Sequence, residues 1–153
     1  MPDDERRQYI LMKITRVETI PVEVPLKEGL TTKTAGGEHV VSPYVVVRVH
    51  TDAGLTGLGE TWFGAGPVEA DIHERVAPLL LGEDPSRIEH FNRVLKSYAG
   101  FSGTGAEMRA ASAVDVALWD LAGKEANKPI HDMLGGKTRS FIKVYNTCAG
   151  PDY

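Results

Sequence analysis

The chain has 153 residues, 42% apolar and 25% charged, with a net charge of −4, which suits one globular unit around a single core. The mildly acidic balance excludes the basic patches that nucleic acid or an anionic membrane surface requires, and no run reaches the roughly 20 apolar residues of a membrane span. The charged start, MPDDERRQYILMK, has no signal-peptide core and Cys148 is the only cysteine, so a cytoplasmic location without internal disulfides is expected.

Residues 1–11 are polar and without period, and read as an extension ahead of a domain that starts near Met12. The β-branched stretch 13–24 predicts a strand, although Ile14, Val17 and Ile20 do not alternate cleanly. Residues 44–50 alternate well: Val45, Val47 and Val49 share one face, with Arg48 and His50 on the other. Thr51-Asp52-Ala53-Gly54 supplies a turn into a third strand over 55–60. An antiparallel meander follows from these three.

Gly66-Pro67 opens a helix with Val68, Ile72, Val76, Leu79 and Leu80 on one face and Pro78 costing a hydrogen bond near its end. Asp71, His73 and Glu74 fall on its solvated side, with no convergent metal-ligand spacing. Asp84-Pro85 caps the next helix, whose stripe is Ile88, Phe91, Leu95 and Tyr98. Three strands before three helices give an α+β fold, a three-stranded antiparallel meander followed by a helical bundle.

The long helix of the chain begins near Ala110 and places Ala110, Ala111, Val114, Ala117, Leu118, Leu121 and Ala122 on one face. Small side chains there let another backbone approach closely, and Asp120 to Lys124 is a favourable i,i+4 pair. Asp115 and Asp120 lie about 140° apart on the helix and cannot form one acid–base site; Asp115 reads as a structural hydrogen-bond acceptor. Pro129 and Gly135-Gly136 end the helix and turn the chain. His131-Asp132 diverge by about 100° and do not converge on a metal.

Three connections carry the candidate binding residues. Residues 26–42 form a segment longer than most structureless loops, with Lys33 and His39 as polar candidates. Residues 60–66 place Trp62 and Phe63 between glycines, where they either contact a ligand or close the core end. Residues 100–105 precede the long helix with a Gly-rich entry that reads as a plain flexible helix start ahead of an anion site, and Phe101 is its contact candidate. Residues 141–146 read as a further strand that needs a sheet neighbour. Cys148 follows it as a thiol with no visible catalytic partner.

The ordered pattern Ala110-x-Ser112-Ala113-Val114-Asp115-x-Ala117-Leu118-x-Asp120-Leu121-x-Gly123-Lys124, then Pro129-Ile130 and Leu134-Gly135, resembles the signature of the mandelate racemase and muconate lactonizing enzyme family of the enolase superfamily. Met133 stands where that family usually has Leu, a volume-conserving departure. The resemblance covers most of residues 12–149. It implies an N-terminal α+β capping domain over 12–138, with residues 139–153 as the first strand of a (β/α) barrel whose remainder is absent. It also implies that the loops 26–42, bearing Lys33 and His39, and 61–66, bearing Trp62 and Phe63, close over the barrel mouth, with Asn146 at the active-site end of the first barrel strand.

In such enzymes a base removes the proton next to a carboxylate, and Mg²⁺, bound by three barrel carboxylates, holds the resulting enediolate. None of those groups has a counterpart here, so the chain alone is expected to carry no catalytic or metal-binding residue. The resemblance implies a lyase dehydrating a sugar acid, with the barrel and further copies of the chain as partners. Tyr145-Asn146-Thr147 is similar to a stretch in acid-sugar dehydratases. A racemase, epimerase or cycloisomerase would carry a similar cap. A stand-alone binding or assembly module is the alternative of another class: it would cover the Ala-rich face within the chain, whereas a severed cap would leave an apolar patch exposed.

Overall fold

A computed structural model describes residues 12–144 apart from 28, 30, 35, 36, 63 and 97–103. Its strands are β1 (Ile14–Pro25), β2 (Thr32–Thr34), β3 (Gly37–His39), β4 (Val41–Thr51) and β5 (Thr56–Trp62). The expected meander is present as an antiparallel sheet in the order β1-β4-β5, and β2 and β3 pair separately. The register jumps between Ile14↔Thr51 and Arg16↔His50. This bulge explains the broken alternation of β1, because it lets Ile14 and Val17 both point into the core despite their odd spacing.

The segment 26–42, expected to be one long loop, carries paired strands among its described residues. β1 and β4 pair as far as Pro25↔Val41, the Leu26 N–H donates to the Val40 carbonyl at 2.9 Å, and Thr32–Thr34 pairs with Gly37–His39 across a short hairpin. Backbone pairing here overrides a Thr- and Gly-rich sequence with no hydrophobic period.

The helices are α1 (Ala65–Asp71), a π-helical turn (Ile72–Val76), α2 (Ala77–Leu80), α3 (Ile88–Leu95), α4 (Ala106–Ala126) and α5 (Ile130–Met133). The π turn ends just before Pro78, with the Ala77 N–H bonded back to the Ile72 carbonyl, which widens the helix where the proline ring would meet the preceding turn. A wider turn also rotates less per residue. Val68, Ile72, Val76 and Leu80 therefore all reach the core, while Leu79, expected on the same face, is exposed. Asp84 caps a tight turn through the Ser86 N–H at 2.8 Å, and the N-cap of α3 is Arg87. Ile88, Phe91 and Leu95 are buried as expected; Tyr98 lies outside the described residues.

The core lies between the sheet and the helices. Val45, Val47 and Val49 face α4, whose Ala110, Ala111, Ala113, Val114, Ala117, Leu118 and Leu121 are all buried. The closest approach is at β5. A Cβ built on Gly59 would lie 1.9 Å from the Ala113 carbonyl oxygen, and one on Gly57 would lie 2.1 Å from that of Ala117. The Ala-rich face is thus covered inside the chain by a strand with two missing side chains. It is not the unsatisfied surface expected of a severed cap. α4 ends on Asn127, whose left-handed φ of 49° lets the Asn127 and Lys128 N–H groups bond back to Lys124 and Gly123. Pro129, expected to end α4, instead caps α5.

Beyond α5, Phe141, Ile142 and Val144 are 71%, 72% and 88% exposed, and residues 141–144 form no strand. The strand expected over 141–146 is therefore not formed in its described part, because no strand among the described residues offers it a backbone partner.

Candidate functional site

The described parts of the three connections singled out in sequence lie toward one end of the sheet. The β2–β3 hairpin departs where the β1–β4 ladder ends at Pro25↔Val41, and Trp62 pairs with Tyr44 on the same end of β4. Val41 and Tyr44 are about 10 Å apart along the strand. The entry of α4 lies beside the β5 terminus, since Arg109 Nη1 donates to the Trp62 carbonyl. A cleft of about 310 Å³ joins Gly64, Pro67 and Val68 to Thr104, Gly105 and Arg109.

Lys33 lies in β2 with its backbone paired to Glu38, and His39 closes β3 opposite Thr32, half-buried. Trp62 is 48% exposed at the end of β5. Phe63, Phe101 and Asn146 lie outside the described residues, as does Cys148. The Gly-rich entry offers less to an anion than its sequence suggests: the Glu107 carboxylate folds back to within 2.5 Å of where a Gly105 Cβ would stand, placing negative charge at the start of α4.

The carboxylates of the long helix are structural. Asp115 accepts from Asn92 Nδ2 at 2.9 Å, linking α3 to α4. Asp120 accepts the Leu58 N–H at 2.7 Å and pairs with Lys124 at 2.6 Å, and Lys124 also donates to the Thr56 carbonyl at 2.7 Å. Leu58 and Thr56 belong to β5, an edge strand, so this i,i+4 pair occupies backbone groups that the sheet leaves unpaired.

Asp71 is not the solvated residue expected. Its two oxygens accept from Arg75 Nε and Nη2 at 2.8 and 2.7 Å. The same guanidinium reaches the Leu95 and Glu107 carbonyls at 3.3 Å, tying the end of α3 to the start of α4. The bond to Asp71 holds the Arg75 pKa above its ordinary value. His73, exposed as expected, contacts Thr19 Oγ1 at 2.9 Å, and that hydroxyl donates to Glu69 at 2.8 Å. On the open face of the sheet Glu18 meets His50 at 3.2 Å, Arg16 at 3.5 Å and Arg48 at 3.6 Å. The His50 hydrogen bond foremost, and then the two arginines, lower its pKa.

His131 and Asp132 pair with each other at 3.2 Å. Among the described residues no group of three or more His, Cys, Asp or Glu is arranged to hold a metal ion. No helix of the described residues is long and apolar enough to cross a membrane. An apolar groove of about 670 Å³ between α3, α4 and α5, floored by Ile88, Trp119 and Met133, contains none of the candidate residues. Sequence reasoning missed Arg109, which stands one residue ahead of the recognisable pattern, and Arg75, which carries no signal beyond its i,i+4 spacing from Asp71.

Comparison with known proteins agrees with this architecture. A D-galactonate dehydratase family member from Catenulispora acidiphila is 39% identical over 143 residues, covering 91% of this chain and 30% of the relative. A D-mannonate dehydratase from Novosphingobium aromaticivorans is 38% identical over 111 residues, covering 71% of this chain and 28% of the relative. The crystal structure of an enolase protein from environmental shotgun sequencing of the Sargasso Sea superposes with a TM-score of 0.71 at 43% identity, covering 94% of this chain and 34% of that one. The chain thus spans about 30% of the length of these curated relatives. Residues 14–135 match the family model of the mandelate racemase/muconate lactonizing enzyme N-terminal domain, and with the meander, the glycine-lined strand and the long alanine helix in place, the chain belongs to that family.

Proposed function

We propose that this chain is the substrate-capping part of a Mg²⁺-dependent sugar-acid dehydratase, with residues 12–138 as the cap and 139–153 leading into a barrel. The similarity to a D-galactonate dehydratase family member across 91% of the chain carries the reading. The convergence of the β2–β3 hairpin, the Trp62 turn and the α4 entry on one end of the sheet supports it geometrically, because a lid needs several connections held at one rim by a rigid scaffold. In this reading Lys33, His39, Trp62, Phe63 and Phe101 face the substrate from above and Asn146 from the barrel. The base and the Mg²⁺ ligands belong to the barrel, and so does the proton abstraction. What this chain contributes is closure: it excludes water and orients the sugar acid.

The exposed apolar residues Phe141, Ile142 and Val144 are what a cap joined to further structure would display. The buried Ala-rich face does not distinguish a cap from a stand-alone module, since it forms part of the domain's own core in either case. The test is to incubate the protein, at its natural length and with Mg²⁺, with a panel of sugar acids including D-galactonate and D-mannonate, measuring the carbonyl that loss of water generates. Carbonyl formation with one acid is the expected result. Exchange or inversion at the carbon next to the carboxylate without a new carbonyl would replace the dehydratase by a racemase or epimerase. Binding without either change would favour a non-catalytic module.

A further inference from the structure

We propose that Arg109 is a positioning residue that fixes the end of β5 at Trp62, and through it the turn into α1 that faces substrate. Its consequence for substrate rests on the capping function proposed above; its geometry does not. Along β5, residues of one parity turn their backbone N–H and C=O toward β4, and those of the other parity turn them outward at the sheet edge. Thr56, Leu58 and Trp62 share a parity, and α4 holds all three. Lys124 donates to the Thr56 carbonyl at 2.7 Å, Asp120 accepts the Leu58 N–H at 2.7 Å, and Arg109 donates to the Trp62 carbonyl.

The order of these bonds makes helix and strand antiparallel, in agreement with the Gly57–Ala117 and Gly59–Ala113 contacts between them. The lengths also match: α4 rises about 22 Å from Lys124 to Arg109, and β5 extends about 20 Å from Thr56 to Trp62. The middle of the strand is pressed against the helix by its glycines. Trp62 lies beyond them, where the sheet gives way to a turn whose Gly64 has a left-handed φ of 74°. Arg109 is thus the distal end of one continuous helix-to-strand grip. Its planar guanidinium directs a donor at that carbonyl with less loss of side-chain freedom than a lysine.

Hydrogen exchange and steady-state kinetics on the natural-length protein test this with Arg109→Met, Arg109→Lys and Lys124→Met. Arg109→Met is expected to raise exchange about tenfold over residues 62–68 and leave 54–58 unchanged, and Lys124→Met to do the reverse. For the sugar acid turned over, Arg109→Met should raise KM about tenfold with kcat within about twofold. Arg109→Lys should recover most of that loss, and Lys124→Met should leave KM unaltered. Unchanged exchange over 62–68 would overturn the positioning role, and raised exchange with an unchanged KM would overturn its link to substrate. If no sugar acid is turned over by the parent protein the capping reading fails, while the exchange comparison still decides the role of Arg109. Should Arg109→Met not fold, Arg109→Gln supplies the same comparison.

Discussion

Adding one methyl group at Gly59 should damage this fold severely. Its Cβ would sit 1.9 Å from the Ala113 carbonyl oxygen and 3.0 Å from the Ala117 nitrogen. Both are backbone atoms, so no side chain can rotate away. To reach the 3.0 Å below which such contacts essentially never occur, α4 must retreat from the sheet by about 1.1 Å. A radial gap of 0.5–1 Å already forfeits a quarter to a half of each dispersion contact, and the gap would open along a face carrying Val114, Leu118 and Leu121. Overpacking a core costs about 1–3 kcal/mol, and with a rigid backbone opposite the upper end applies. For a domain of this size about 3 kcal/mol lowers Tm by roughly 10 °C. Urea unfolding followed by circular dichroism measures this, with Gly66→Ala as the control. Gly66 lies in α1 with nothing within 4 Å of its Cβ position, so alanine there should be neutral or stabilise by up to about 1 kcal/mol. A Gly59→Ala protein within about 0.5 kcal/mol of the parent would refute the close-contact account.

Arg75→Met should cost about 1–3 kcal/mol, less than a fully buried pair because the guanidinium is a third exposed; differential scanning calorimetry should show part of that loss restored by adding Asp71→Asn. Glu18 has a depressed pKa in the native state, so its contribution is complete above the unfolded value of about 4.5 and is lost as pH falls through its lower native pKa. Glu18→Gln should accordingly flatten the fall in Tm on acidification below that point, and an unchanged acid limb would count against the cluster. Asp115→Ala should cost about 1 kcal/mol of stability through the lost Asn92 bond and, under the proposed function, leave the kinetics of the natural-length protein unaltered; a large fall in kcat would return Asp115 to the chemistry.

The central strand β4 and the long helix were legible because they obey a single period each. Val45, Val47 and Val49 alternate against Arg48 and His50, and the small residues of α4 recur at helical spacing. What escaped was whatever depends on a partner distant in sequence. The β2–β3 hairpin is held by backbone pairing between Thr- and Gly-rich segments that carry no pattern. The π turn reflects a local accommodation of Pro78, which moved Leu79 out and left Leu80 in. The alanine stripe announced a close neighbour but not its identity, because Gly57 and Gly59 signal only by lacking side chains. The candidate site was legible as three connections, and their convergence was not, since it follows from strand order. Arg109 and Arg75 act on carbonyls of residues far away in the chain, and no spacing rule reports such a bond.

The hold of α4 on β5 also governs how this protein can meet others. An uncovered edge strand offers a template onto which a foreign strand can zip, and such edges nucleate aggregation. Here the Thr56, Leu58 and Trp62 backbone groups are taken up by helix side chains. At the opposite margin residues 82–83 bond to Ile14, and Pro21 and Pro25 interrupt the donors that follow. An added strand would have to displace these bonds or meet those prolines, so both margins disfavour generic backbone pairing and leave recognition to side-chain surfaces and loops.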